Sequence, residues 1–163
     1  MLNHPLSDLI SQTELLENIA DQHGTPTYVY SKKRLEENID KLSRAISSNF
    51  INYQIYYAVQ ANSNIHIIKT LKSRFNDLGC DCSSPGELFA AKKAGFKMSD
   101  CVYTGNYESF EDLQTAYDAG PEINLDDSNS LERLKKNRNP RLYQLQIKSR
   151  KRTWTIQRYY NWR

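Results

Sequence analysis

Gly79-Cys-Asp-Cys-Ser-Ser84, a helix-forming stretch over residues 86–94 stopped by Gly95, and then Cys101-Val-Tyr-Thr104 form the passage that decides the fold. The two outer runs read as short strands, and the middle reads as a helix of about ten residues. A strand, a helix and a second strand at this spacing imply a βαβ crossover, since parallel strands need a long connection between them. The pattern continues on both sides. Residues 53–59 read as a strand and 64–73 as a helix. Downstream, residues 110–119 read as a helix ended by Gly120, 122–125 as a strand and 128–136 as a helix. Ser109 before Glu111-Asp112, and Asp127-Ser128 before Glu132, supply N-cap residues and acidic first turns.

Ahead of this series, residues 7–23 carry Leu9, Ile10, Leu15, Leu16 and Ile19 at helical spacing, with Gly24 as a stop signal. Residues 25–31 are β-rich, and residues 32–48 form a helix with Leu35, Ile39, Leu42, Ala45 and Ile46 along one apolar stripe. The expected fold is therefore α/β, with about four βα units on a parallel sheet. That number fits a small open sheet or a partial eight-stranded barrel of the TIM type. Three regions are expected: an N-terminal helix and lead-in strand over 1–31, a partial barrel over 32–137, and an irregular basic tail over 138–163.

The tail is set apart by charge. All 19 acidic residues precede residue 138, while the last 26 residues hold eight of the 22 basic ones and both tryptophans. Lys148-Ser-Arg-Lys-Arg152 is followed by Trp154, Tyr159, Tyr160 and Trp162. One reading is a nucleic-acid tail, with cations on phosphates and rings stacked on bases. The other is a non-native or disordered C-terminus, such as out-of-frame translation. The abruptness of the change, where the next barrel strand is due, favours the second.

Composition narrows the classes further. No apolar run approaches the roughly 18 residues of a membrane-spanning helix, and residues 1–11 show no secretory pattern, so a cytoplasmic location is expected. Three cysteines, Cys80, Cys82 and Cys101, do not make an even disulfide framework. The Cys80/Cys82 pair lacks nearby ligands at zinc spacing, so packing in a buried strand is expected and no metal. The histidines His4, His23 and His66 match no catalytic arrangement.

The most informative motif is Tyr57-Ala-Val-Gln-Ala-Asn-Ser-Asn64, at the end of the first barrel-type strand, where βα barrels place their chemistry. It resembles the Tyr-Ala-Val-Lys-Ala-Asn-Ser-Asn motif of the diaminopimelate decarboxylases. These are fold-type III pyridoxal-phosphate enzymes related to the ornithine and arginine decarboxylases. Gly24-Thr-Pro-Thr-Tyr-Val-Tyr30, Gly79-Cys-Asp-Cys-Ser-Ser-Pro-Gly-Glu-Leu88, residues 91–96, Tyr103-Thr-Gly-Asn106 and Glu122-Ile-Asn-Leu-Asp126 continue the likeness in order, over about residues 8–136.

The resemblance implies a pyridoxal 5'-phosphate enzyme that converts meso-diaminopimelate to lysine and carbon dioxide. Such enzymes usually work as homodimers, and the cofactor is held by a lysine as an imine and takes up the carbanion's electrons. It also implies cofactor-side roles for Asp81, Ser84 and Glu87, while Asn62 orders its loop. In this chain Gln60 stands at the lysine position. A glutamine amide is no nucleophile and cannot form the imine. No glycine-rich phosphate cradle occurs in the 163 residues, and the family's other cofactor and substrate groups have no counterpart here. The expectation is a truncated, inactive relative of the decarboxylases. Two alternatives stand beside it: a binding protein that pairs with a full-length homologue, and a nucleic-acid binder acting through its tail.

Overall fold

The computed structural model describes residues 7–106, 108–137, 142–148 and 154–160, with side chains described between residues 9 and 134. Among the described residues, seven α-helices and six strands follow one another along the chain. Helix α1 (Ser7–Ile10), α2 (Thr13–His23) and α3 (Lys32–Ser47) precede strand β1 (Ile55–Ala58). Then come α4 (Ile65–Arg74), β2 (Leu78–Cys82), α5 (Pro85–Lys93), β3 (Cys101–Thr104), α6 (Phe110–Ala119), β4 (Glu122–Leu125) and α7 (Ser128–Asn137). Strands β5 (Leu142–Lys148) and β6 (Trp154–Tyr160) complete the series.

The sheet order is β1-β2-β3-β4-β5-β6. Strands β1 to β5 are all parallel, with Ala58 opposite Asp81, Cys80 opposite Cys101, Thr104 opposite Asn124 and Ile123 opposite Tyr143. This is the expected α/β arrangement, with four consecutive βα units from β1 to α7.

The helices begin where side chains can satisfy their first free amides. Asn64 accepts from His66 N at 2.9 Å, Ser84 from Glu87 N at 3.3 Å, and Ser109 from Asp112 N at 3.1 Å. Asp127 does the same for Ser130 N at 2.7 Å. Gly95 and Gly120, both at positive φ, turn the chain out of α5 and α6 without the strain a side chain would cause.

The sheet has two unlike faces because side chains alternate along a strand. Cys80, Cys82, Cys101, Tyr103, Ile123 and Leu125 are buried and join Ile67, Ile68, Leu71, Leu88, Ala91, Leu113, Ala116 and Leu134 of the helices in one core. Burying each large aliphatic side chain in that core contributes about 1.5–3 kcal/mol. Asp81, Val102, Thr104, Glu122 and Asn124 alternate with them and are only half-buried. All three cysteines are free and buried. Hydrogen bonding with the Cys101 thiol, and then burial, push the thiols of Cys80 and Cys82 upward, so both stay protonated. They pack rather than react.

Several expectations need correction. The tail is not irregular throughout. Residues 142–148 extend the parallel sheet, and residues 154–160 return antiparallel, with Leu142 opposite Tyr160 and Lys148 opposite Trp154. The sequence supports this, because Tyr143, Leu145 and Ile147 alternate with Gln144, Gln146 and Lys148 at strand period. The expectations for 138–141, 149–153 and 161–163 lie outside the described residues.

The lead-in run over residues 25–31 bends at Thr25–Pro26 and joins no sheet among the described residues; Pro26 brings no N–H to a ladder, and Tyr28 is 91% exposed. The first helix is broken at residues 11–12 into α1 and α2. The stripe on α3 is only partly covered: Ile39 is buried, but Leu42 is 46% exposed.

Candidate active site

The C-terminal ends of the parallel strands carry the residues singled out above. Gln60 lies in a 3-10 turn over Val59–Ala61, immediately after β1, and is exposed. Its turn is tied down from several sides. The Tyr57 hydroxyl donates to the carbonyl of Asn62 at 3.0 Å, and the Asn62 side-chain amide donates to the Tyr30 hydroxyl at 3.0 Å. The Asn62 side-chain oxygen accepts from Asn64 N at 3.0 Å. Burial pushes the Tyr57 phenol upward, which keeps it a donor. Asn62 is thus the centre of the loop, joined to a tyrosine 32 positions earlier.

Asp81 stands on β2 opposite Ala58, two residues before Gln60. Its Oδ1 accepts from Thr104 Oγ1 on β3 at 2.9 Å. Strand register explains the bond: Asp81 pairs with Val102, and Thr104 is the next residue on the same face. The carboxylate is therefore aimed by a neighbouring strand rather than by a flexible loop.

Ser84 and Glu87 have a more local role. Ser84 caps α5, and the Glu87 carboxylate turns back to accept from Ser83 N at 2.8 Å and from Ser83 Oγ at 3.1 and 3.2 Å. This resembles a capping box moved one residue toward the N-terminus, and Pro85 starts the helix. The four positions Gln60, Asp81, Ser84 and Glu87 share one end of the sheet, and only Asp81 is bonded across strands.

Sequence reasoning missed Thr104 and Tyr30. Thr104 could have been found by aligning β2 and β3 through their alternation. The Tyr30 contact spans a distance in sequence that no local pattern encodes.

Residues 36–158 match the domain family described as "Pyridoxal-dependent decarboxylase, pyridoxal binding domain". The chain belongs to this decarboxylase family. The match runs through β5 and into β6. Diaminopimelate decarboxylase of Methanothermobacter thermautotrophicus is 39% identical over 126 residues, covering 77% of this chain and 29% of that protein. Among solved structures, AQ1208 from Aquifex aeolicus is 32% identical with a TM-score of 0.65, over 80% of this chain and 32% of that one. Diaminopimelate decarboxylase from Helicobacter pylori, complexed with L-lysine, is 27% identical with a TM-score of 0.66, over 74% and 30% of the two chains. The chain thus spans under a third of the length of these relatives, and its sheet is the N-terminal portion of the decarboxylase barrel.

Pyridoxal phosphate is the cofactor this domain family implies. The residues present do not fit its covalent attachment. Gln60 offers a planar amide whose nitrogen lone pair is delocalised, so it has hydrogen bonds to give but no imine to form. Among the described residues no three His, Cys, Asp or Glu side chains come together as metal ligands, and no helix is long and apolar enough to cross a membrane.

Proposed function

We propose that this chain is a decarboxylase-derived barrel segment that keeps the frame of the pyridoxal site and lacks its covalent chemistry. Gln60 carries this reading. Support for the retained frame comes from the bonds around Asn62 and from the Asp81–Thr104 contact, which hold the surroundings of residue 60 in order without a reactive amine. By family likeness, the ligands suited to this end of the sheet are amino acids with a second amino or carboxyl group. A homodimer is the association this family favours, with pairing to a full-length homologue as the alternative for this chain, and the cytoplasm is where such substrates are met.

The test is spectroscopic and chemical. Purified protein is mixed with pyridoxal phosphate, and imine absorbance and carbon dioxide release from diaminopimelate are measured for the natural chain and for Gln60→Lys. Neither protein is expected to release carbon dioxide, and the natural chain is expected to show no imine. Measurable decarboxylation by either one refutes the reading.

A further inference from the structure

The β5–β6 hairpin carries a pattern of cations and rings that the candidate site does not use. On β5, Gln144 lies opposite Asn124 of β4, so Gln144, Gln146 and Lys148 fall on the face of the sheet that holds Asp81 and Thr104. On β6, the antiparallel register sets Trp154 opposite Lys148, Ile156 opposite Gln146, Arg158 opposite Gln144 and Tyr160 opposite Leu142. Directly opposed residues share a face. The alternate positions of β5 fall on the other face, with Tyr143 opposite Ile123 and Leu145 opposite Leu125 of the buried row. The hairpin thus sorts its sequence. Two cations, Lys148 and Arg158, and two rings, Trp154 and Tyr160, share the face turned away from the helices.

Charge is divided in the same way along the chain. Residues 142–160 hold Lys148, Arg150, Lys151, Arg152 and Arg158 and no acid, whereas all 19 acidic residues lie before residue 138. An anion is therefore repelled by the rest of the chain and drawn to the hairpin. Strand β6 is the last of the sheet, and at the usual rise of about 3.4 Å per residue its row from Trp154 to Tyr160 runs roughly 20 Å. That length suits a few nucleotides of an extended strand.

We propose that this face of the β5–β6 hairpin binds single-stranded nucleic acid: Lys148, Arg158 and the basic link between the strands neutralise phosphates, and Trp154 and Tyr160 stack on unpaired bases. Cations alone would hold any polyanion. Rings in register with those cations add a preference, because an unpaired base offers a flat π face close to each phosphate. A duplex keeps those faces inside its stack. An anionic membrane is matched by a continuous apolar row, and here Gln144 and Gln146 interrupt the face. The surface lies across β3 and β4 from Asp81, and it does not depend on the residue at position 60.

Charge and stacking leave different marks on the affinity. Each cation engaged on a single strand adds about −0.7 to the slope of log affinity against log salt, so the five together give about −3.5. Stacking is insensitive to salt, and loss of one ring weakens binding by roughly 5- to 150-fold.

The experiment titrates the full chain with oligothymidylate over a range of salt, following anisotropy of the labelled oligonucleotide and quenching of the tryptophans, both of which lie in the last 26 residues. Binding should tighten steeply as salt falls, with quenching. Trp154→Ala should weaken it by the factor given above and leave the slope unchanged, and Arg158→Gln should make the slope shallower by about 0.7. Gln157→Ala, on the opposite face, should do neither. Absence of binding in low-salt buffer overturns the proposal, and so do equal losses in Trp154→Ala and Gln157→Ala. Equal affinity for polyphosphate, or for a duplex of the same length, overturns it by showing charge without stacking. Tighter binding to phosphatidylserine vesicles overturns it in favour of a membrane, and self-association that the oligonucleotide does not reverse assigns the face to a second copy instead. If Trp154→Ala fails to fold, the comparison of oligothymidylate with polyphosphate on the natural chain still decides.

Discussion

Gly79→Ala should be among the most damaging single-methyl additions to this chain. Gly79 is the second residue of β2, opposite Tyr56 and two residues before Asp81. Its backbone needs no special conformation, so the obstacle is space. A Cβ there would stand 2.5 Å from Tyr56 Cδ1 and 2.6 Å from the carbonyl oxygen of Asp100. The ring is 41% exposed and can swing away. The carbonyl belongs to the 3-10 turn that leads into β3, and it can yield only if two strands part. Overpacking of this kind costs about 1–3 kcal/mol, which lowers the melting temperature of a domain this size by roughly 3–10 °C. Melting followed by circular dichroism measures it, and adding Tyr56→Ala separates the two obstacles. Removing the ring should recover only part of the loss, because the carbonyl stays. An unchanged melting temperature for Gly79→Ala would refute the reasoning, and so would complete recovery in the double variant after subtracting the effect of Tyr56→Ala alone.

Two further outcomes can be checked on the same protein. Ser84→Ala removes the cap of α5 and should cost about 1 kcal/mol in a urea unfolding curve, with no change in the midpoint counting against the capping role. The Arg74 guanidinium, bonded through Nε to Asp40 Oδ1 at 2.8 Å, holds the Asp40 carboxyl below its usual value. That pair supports folding above the ordinary aspartate range and loses its effect as pH falls through the lowered value; NMR titration should show Asp40 returning upward in Arg74→Ala, and an unmoved titration contradicts the pairing.

How much of this was legible in the sequence depends on whether a feature is local. Strands β3 and β4 and helix α6 have the bounds their sequence suggests, because Ser109, Gly120 and the turn residues between them punctuate the chain. The first strand is shorter than its apolar run. Residues 59–61 wind into a turn, with Val59 fully buried beneath it. Composition misled at the C-terminus, where eight basic residues outweighed the strand alternation of residues 142–148. At the candidate site, the positions of Gln60 and Asp81 were readable from motif order. Their supports, Thr104 and Tyr30, were not, since each depends on strand register or on a fold that returns a distant segment.

Most residues of the motif around Gln60 have folding work to do. Tyr57 bonds the Asn62 carbonyl, and Ala58 lies opposite Asp81 in the sheet. Val59 is fully buried, Asn62 holds the loop through both ends of its side chain, and Asn64 caps α4. Gln60, like Ala61 and Ser63, is exposed, so the fold places little demand on the side chain at position 60. A chain under selection to fold would keep this motif whether or not it retained the chemistry. Likeness in such a motif therefore speaks strongly for the barrel and weakly for catalysis.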